Sequence, residues 1–229
     1  VEGTMALLGP ADMKKMVPIV LLVIMVVLFI ILRSVKSTIL TMAVVFFSVV
    51  WTFGLMAAVN IPIYAVSTMI PVMLIAIGVA DGIHLYSHLQ LYLRKNPDAT
   101  KREASIDMIQ NMWKPVVMTS ITTSVGFISL LTSQVYPIKY FGIFTAFGVL
   151  MAMVFSLALI PAGIMIFGLP KVKKAAKNSS NKEADLAYGF ASKVLKRKSV
   201  SLFVTTAVII LAIVGMQKIW INSSFLDKF

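Results

Sequence analysis

The chain contains no cysteine, so neither a disulfide framework nor a thiolate metal site is open to it. Histidine is scarce, with two in 229 residues. Charged residues make up 13% of the chain, where a soluble domain carries about a quarter. No G-x-x-x-x-G-K-[ST] loop is present, which excludes a Walker-type nucleotide site and leaves an ion gradient as the energy source to consider. What fills the chain instead is apolar: 59% of residues are hydrophobic and the mean hydropathy is +0.93. These residues fall in long runs with no repeating polar face, which is unlike a soluble core of this size. The net charge of +12 lies in the connections between the runs, so it does not indicate nucleic acid.

A bilayer core about 30 Å thick takes about 20 apolar residues in helix. Six runs meet that requirement: Met16–Leu32, Thr38–Val59, Ser67–Leu91, Pro115–Ser133, Tyr140–Phe167 and Val200–Gln217. The expected fold is therefore an all-α polytopic membrane protein with six transmembrane helices. Basic residues orient it. The connections after the first, third and fifth runs hold 16 of the 21 lysines and arginines, and the intervening turns hold almost none. Those connections are expected to be cytoplasmic, which puts both chain ends on the opposite side.

Two connections carry patterns of their own. Thr100 to Glu103 has the spacing of a capping box, with Ile106, Ile109 and Trp113 following on one face. That predicts a short surface helix ahead of the fourth span. Leu186, Phe190, Val194 and Leu195 face away from lysines between Asp185 and Lys198, which predicts an interfacial helix. Lys171 to Lys182 reads as a polar linker. The chain thus divides into a five-helix block at 16–167, a connection at 168–199 and a further span at 200–217.

The apolar runs contain one acid, Asp81, near the middle of the third. A carboxylate there costs about 3 kcal/mol on insertion scales, and such residues usually face the bundle interior and move ions or protons. The competing reading is a hydrogen-bonded structural carboxyl that locks helix packing. His84 and His88 follow on the same stripe, three and seven residues on. A carboxyl and an imidazole one turn apart can exchange a proton, so Asp81 and His84 are the candidate relay. His88 lies near the interface, as an ordinary wet histidine or an exit from the relay. Gly78 and Gly82 form a G-x-x-x-G face that admits a neighbouring helix. The fourth run offers Thr119, Thr122, Thr123, Gly126 and Ser133 as a small polar stripe. Its hydroxyls either bond back to their own helix or line a hydrated path opposite Asp81. In the fifth run, Gly148, Ala152 and Ser156 give a packing register, and Pro161 a kink.

Other chemistries find less support. Asp81, His84 and His88 share a face, but no further histidine or cysteine completes a closed metal site, so no metal or other cofactor is expected. With no G-x-S-x-G turn and no second buried acid, an intramembrane hydrolase is not supported either.

Three stretches resemble the resistance-nodulation-division superfamily, in its predicted-exporter and MMPL (mycobacterial membrane protein large) branch. Ile77-Gly78-Val79-Ala80-Asp81-Gly82-Ile83-His84-Leu85 is similar to the family's G-x-x-x-D or V-D-D motif with a following I-H-L. Pro115 to Phe127 resembles P-x-x-x-T-S-x-T-T-x-x-G-F, and Phe141 to Pro161 resembles the family's sixth helix. The resemblance implies that the five-helix block is the sterol-sensing-like second to sixth helices of the family's transmembrane domain. Residues 1–15 would end one periplasmic porter domain and residues 218–229 would begin the next. The family often has a further acid where this chain has Ala80, which leaves His84 as a substitute in the relay.

The function implied is proton-driven export of hydrophobic or amphiphilic molecules, lipids among them, across a bacterial inner membrane. The partners would be membrane lipids, the substrate and the remaining half of the same transporter, with no nucleic acid; an oligomer stays open. The alternatives are a lipid- or sterol-sensing module that does not pump, and an accessory to protein export.

Overall fold

The computed structural model describes residues 22–170 and 196–216, with positions 19, 189 and 192 besides. Among the described residues the chain is all α apart from short 3-10 turns. Helices α1 (Leu22–Leu32), α2 (Val35–Ala58), α3 (Ile70–Lys95), α4 (Lys101–Ile128) and α5 (Tyr136–Phe167) fall in one compact unit, Val1–Lys173. Helix α6 (Lys198–Met216) belongs to the second unit, Lys174–Phe229. The four helices α2 to α5 are long and apolar enough to cross a membrane, while the described parts of α1 and α6 are shorter apolar helices. The start of the first predicted run, the linker and most of the predicted interfacial helix lie outside the described residues, as do both chain ends.

Local chemistry sets where the helices begin and end. Ser34 caps α2, its Oγ accepting from the Ser37 N–H at 3.4 Å. Helix α2 closes in a Schellman motif: the Asn60 N–H donates to Ala57 O at 3.1 Å and the Ile61 N–H to Met56 O at 3.0 Å. Asn60 takes the left-handed conformation this requires (φ 54°), and Ile61 packs on the cluster that holds Met56. Thr100 and Glu103 form both halves of the capping box that starts α4.

The helix after that box corrects one expectation. The predicted surface helix and the fourth span are one continuous element that runs through Pro115. A proline removes one backbone hydrogen bond. Met108 and Val116, on either side of it, are buried in the same apolar cluster, which holds the helix in line.

Helix α5 is the centre of the block. It packs against α2, α3 and α4, and α3 also meets both flanking helices, whereas α2 and α4 do not touch each other. One end of the bundle holds the basic connections from α1 to α2 and from α3 to α4, with the last turn of α5. There Lys36 Nζ donates to Phe167 O at 2.6 Å and Lys101 Nζ reaches Met165 O at 3.5 Å, so two lysines satisfy the last carbonyls of α5 and oppose its dipole. Gln90 Nε2 donates to Leu32 O at 3.0 Å, tying α3 to α1 at the same end. The turn residues 59–65 and 133–135 lie at the opposite end and hold no basic residue.

The core has two apolar tiers. Toward the basic end, Leu28, Leu32, Val44, Leu85, Leu89, Met108, Ile160 and Ile164 pack together. Toward the opposite end, Met56, Ile70, Leu74, Phe141, Phe144 and Val149 do so. The buried positions between these tiers are mostly small or polar, with Val45 and Ile75 beside them.

Candidate functional site

The layer between the tiers is built from short side chains on four helices. Helix α2 supplies Ser48, α3 Gly78 and Asp81, α4 Ser120, and α5 Ala152 and Ser156, all buried. Small residues here let backbones approach closely, the packing solution available in a bilayer. A Cβ built on Gly78 would stand 3.0 Å from Val45 Cγ2 and 3.7 Å from the Ala152 Cβ. Ser48 and Ser156 spend their hydroxyls on their own helices, donating to Val45 O at 2.8 Å and Met153 O at 2.9 Å.

Asp81 is 4% exposed and differs from those serines. Its Oδ2 is enclosed without a hydrogen-bond partner, and among the described residues no cation pairs with it. A structural carboxyl that locks helices together would show such bonds. Ser120 Oγ in the same layer is also enclosed and unpartnered. Unpaired buried polar groups cost on the order of 1–3 kcal/mol each, and an unpaired charge costs more. The carboxyl is therefore comfortable only when a proton or an arriving donor neutralises it.

The two histidines part company. His84 lies on the exposed stripe of α3, with Met73, Ala76, Ala80, Ser87 and Leu91. It leaves the helix about 60° from Asp81, because three residues turn it by about 300°. His88 is about 20° from Asp81 by the same rule, and it turns toward α4. There its Nδ1 stands 3.7 Å from Asp107 Oδ2. Asp107 was not among the candidates drawn from sequence. Among the described residues no three metal-ligating side chains come together.

The neighbours of the acid also differ from expectation. Gly82 does not open onto α4: a side chain there would run into Thr41 of α2. Thr41 belongs to a buried hydroxyl stripe, Ser37, Thr41, Ser48 and Thr52, that passed unnoticed although its spacing was visible in the sequence. On α4, Thr119, Thr122 and Gly126 are exposed and Thr123 is half-buried. A Cβ on Gly126 would meet nothing within 4 Å. Thr119 and Thr122 donate back to their own helix, to Pro115 O and Met118 O, each at 2.9 Å. The interleaved serines face inward instead, and Ser124 Oγ donates to Ala146 O of α5 at 3.2 Å. Two polar stripes on one helix cannot be ranked without knowing which face its neighbours take. Thr119→Val and Thr122→Val are accordingly expected to leave the bundle and any proton movement unchanged, which thermal unfolding and flux measurements would check.

Residues 4–201 match the MMPL family, well over half of the chain. The chain belongs to the MMPL family. A membrane protein of Methanocaldococcus jannaschii is 30% identical to this MMPL chain over 143 residues, 62% of the chain and 36% of that relative. The matched stretch thus corresponds to about a third of the relative's length. The family match over residues 4–201 spans α1 to α5 and so includes the layer that holds Asp81.

Proposed function

We propose that this chain is the proton-coupling part of a membrane transporter that exports hydrophobic or amphiphilic molecules. The observation that carries the reading is the carboxyl of Asp81, enclosed at mid-bundle with no bond to hold it for packing. A group that is stable only when neutralised suits a cycle in which it takes a proton and gives it up. The basic end of the bundle is assigned to the cytoplasm on the positive-inside rule, and the opposite end to the outer side of a plasma membrane. The segment works with the remainder of the same transporter, and the porter regions outside it select the substrate. The test is proton uptake by the whole protein in liposomes, wild type against Asp81→Asn; equal uptake would overturn the reading.

A second reading has one observation in its favour. A groove of about 420 Å³ runs between α2 and α5, lined by Val50, Trp51, Gly54, Leu55, Ala58 and Phe147. Its walls are apolar and suit an acyl chain, which fits a lipid-sensing module that does not pump. Under that reading lipid would remain in the groove and Asp81→Asn would change nothing.

A further inference from the structure

The mechanism just proposed leaves one inter-helix pair unused. Asp107 on α4 faces His88 on α3 across 3.7 Å, in side chains that are 30% and 22% exposed. Asn111, one turn on, holds the carboxylate: its Nδ2 donates to Asp107 Oδ1 at 3.2 Å and to Asp107 O at 2.9 Å. That leaves Oδ2 free to face the imidazole. His88 Nδ1 is itself enclosed and forms no hydrogen bond. Its separation from Asp107 is wider than a hydrogen bond and closes if Nδ1 carries a proton toward the carboxylate.

Three features set this pair apart from an incidental surface contact. It stands at the strongly basic end, yet among the described residues the group within ion-pair distance of Asp107 is a histidine. The other ionisable groups around it are committed or turned outward. Glu103 of α4 closes its own cap, and Lys36 of α2 and Lys101 of α4 bind α5 carbonyls. Arg33 ahead of α2, His84, Arg94 and Lys95 of α3 and Arg102 and Lys114 of α4 are exposed, and α5 has no charged residue at this end. Finally, His88 lies two turns from Asp81 on the same side of α3, about 10 Å along the axis.

We infer that His88 and Asp107 form the proton-exchange station at the basic end of the bundle, serving the relay that begins at Asp81. The proton that Asp81 gives up is taken by His88 at Nε2, while its Nδ1–H stays directed at Asp107 Oδ2. The Asp107 carboxylate stabilises the imidazolium, and the proton then leaves to water at the basic end. Only protons move, and Asn111 keeps the carboxylate in place. This inference rests on the reading of Asp81 as the relay.

The experiment reconstitutes the whole protein in liposomes and follows proton flux while the pH on the basic-end side is varied. His88→Gln and Asp107→Asn are each expected to lower flux about a hundredfold, the lower end of what a lost proton-transfer group costs. Both should also flatten its dependence on pH on that side. Asp107→Glu, which keeps the carboxylate, should restore most of the flux and the pH dependence. If Asp81→Asn stops flux while both pair variants keep the wild-type rate and profile, this inference alone is overturned. If the pair variants lose flux with an unchanged profile, their role is packing and the inference is again overturned. Wild-type flux in Asp81→Asn would overturn the reading beneath it.

Discussion

Asp81→Asn is expected to cut proton uptake by a hundredfold or more, on the order of what a missing proton-transfer group costs, while the bundle stays folded. The carboxamide has the shape of the carboxyl but cannot load and release a proton. Because Asp81 Oδ2 has no partner to lose, the change in stability should stay within about 1 kcal/mol. Asp81→Leu sharpens the test. Leucine repeats the branching of the carboxyl with bulkier ends and removes an unsatisfied polar atom, so its net cost should be small, yet it should be equally dead for uptake. A structural carboxyl would behave the other way, with leucine unfolding the bundle and asparagine retaining function. Flux in liposomes, read beside thermal unfolding in detergent, separates the two.

Gly142→Ala is expected to be the most damaging single methyl addition in the block, at about 3 kcal/mol, the upper part of the range for overpacking. A Cβ there would stand 2.5 Å from the Phe127 carbonyl oxygen and 2.9 Å from the Leu130 Cβ. The first of these is backbone of α4 and cannot rotate aside, so α4 and α5 must move apart. That would also disturb the hydrogen bond from Ser124 to Ala146 and the edge-on contact of Phe127 with Phe141. Gly148→Ala meets the tips of Leu74 and the Thr52 hydroxyl, both at 2.6 Å, and those side chains can turn, so its cost should be smaller. Gly126→Ala is the control: with open space around it, the substitution should be neutral or slightly stabilising through helix propensity. Unfolding temperatures of the three variants in one detergent would give the order, and a Gly142→Ala as stable as Gly126→Ala would refute the close approach of α4 and α5.

The all-α membrane class and the long spans followed from the sequence alone, because a bilayer demands about 20 apolar residues in helix and little else. The capping box at Thr100 and the singular position of Asp81 were equally visible, each being a local pattern or a plain anomaly in an apolar run. Whether an α3 residue faces in or out was not, since lipid-facing and partner-facing surfaces are both apolar and carry no polar alternation to tell them apart. Only the packing of α3 between α2, α4 and α5 turned Gly82 to Thr41, left His84 exposed and brought His88 to Asp107. The same packing chose the serines of α4 over its threonines, a choice between two faces of one helix that composition does not contain. Sequence thus determined that a single acid lies within a membrane-spanning helix; tertiary structure decided that it is buried and which side chains stand around it, because that depends on the rotation of each helix against its neighbours.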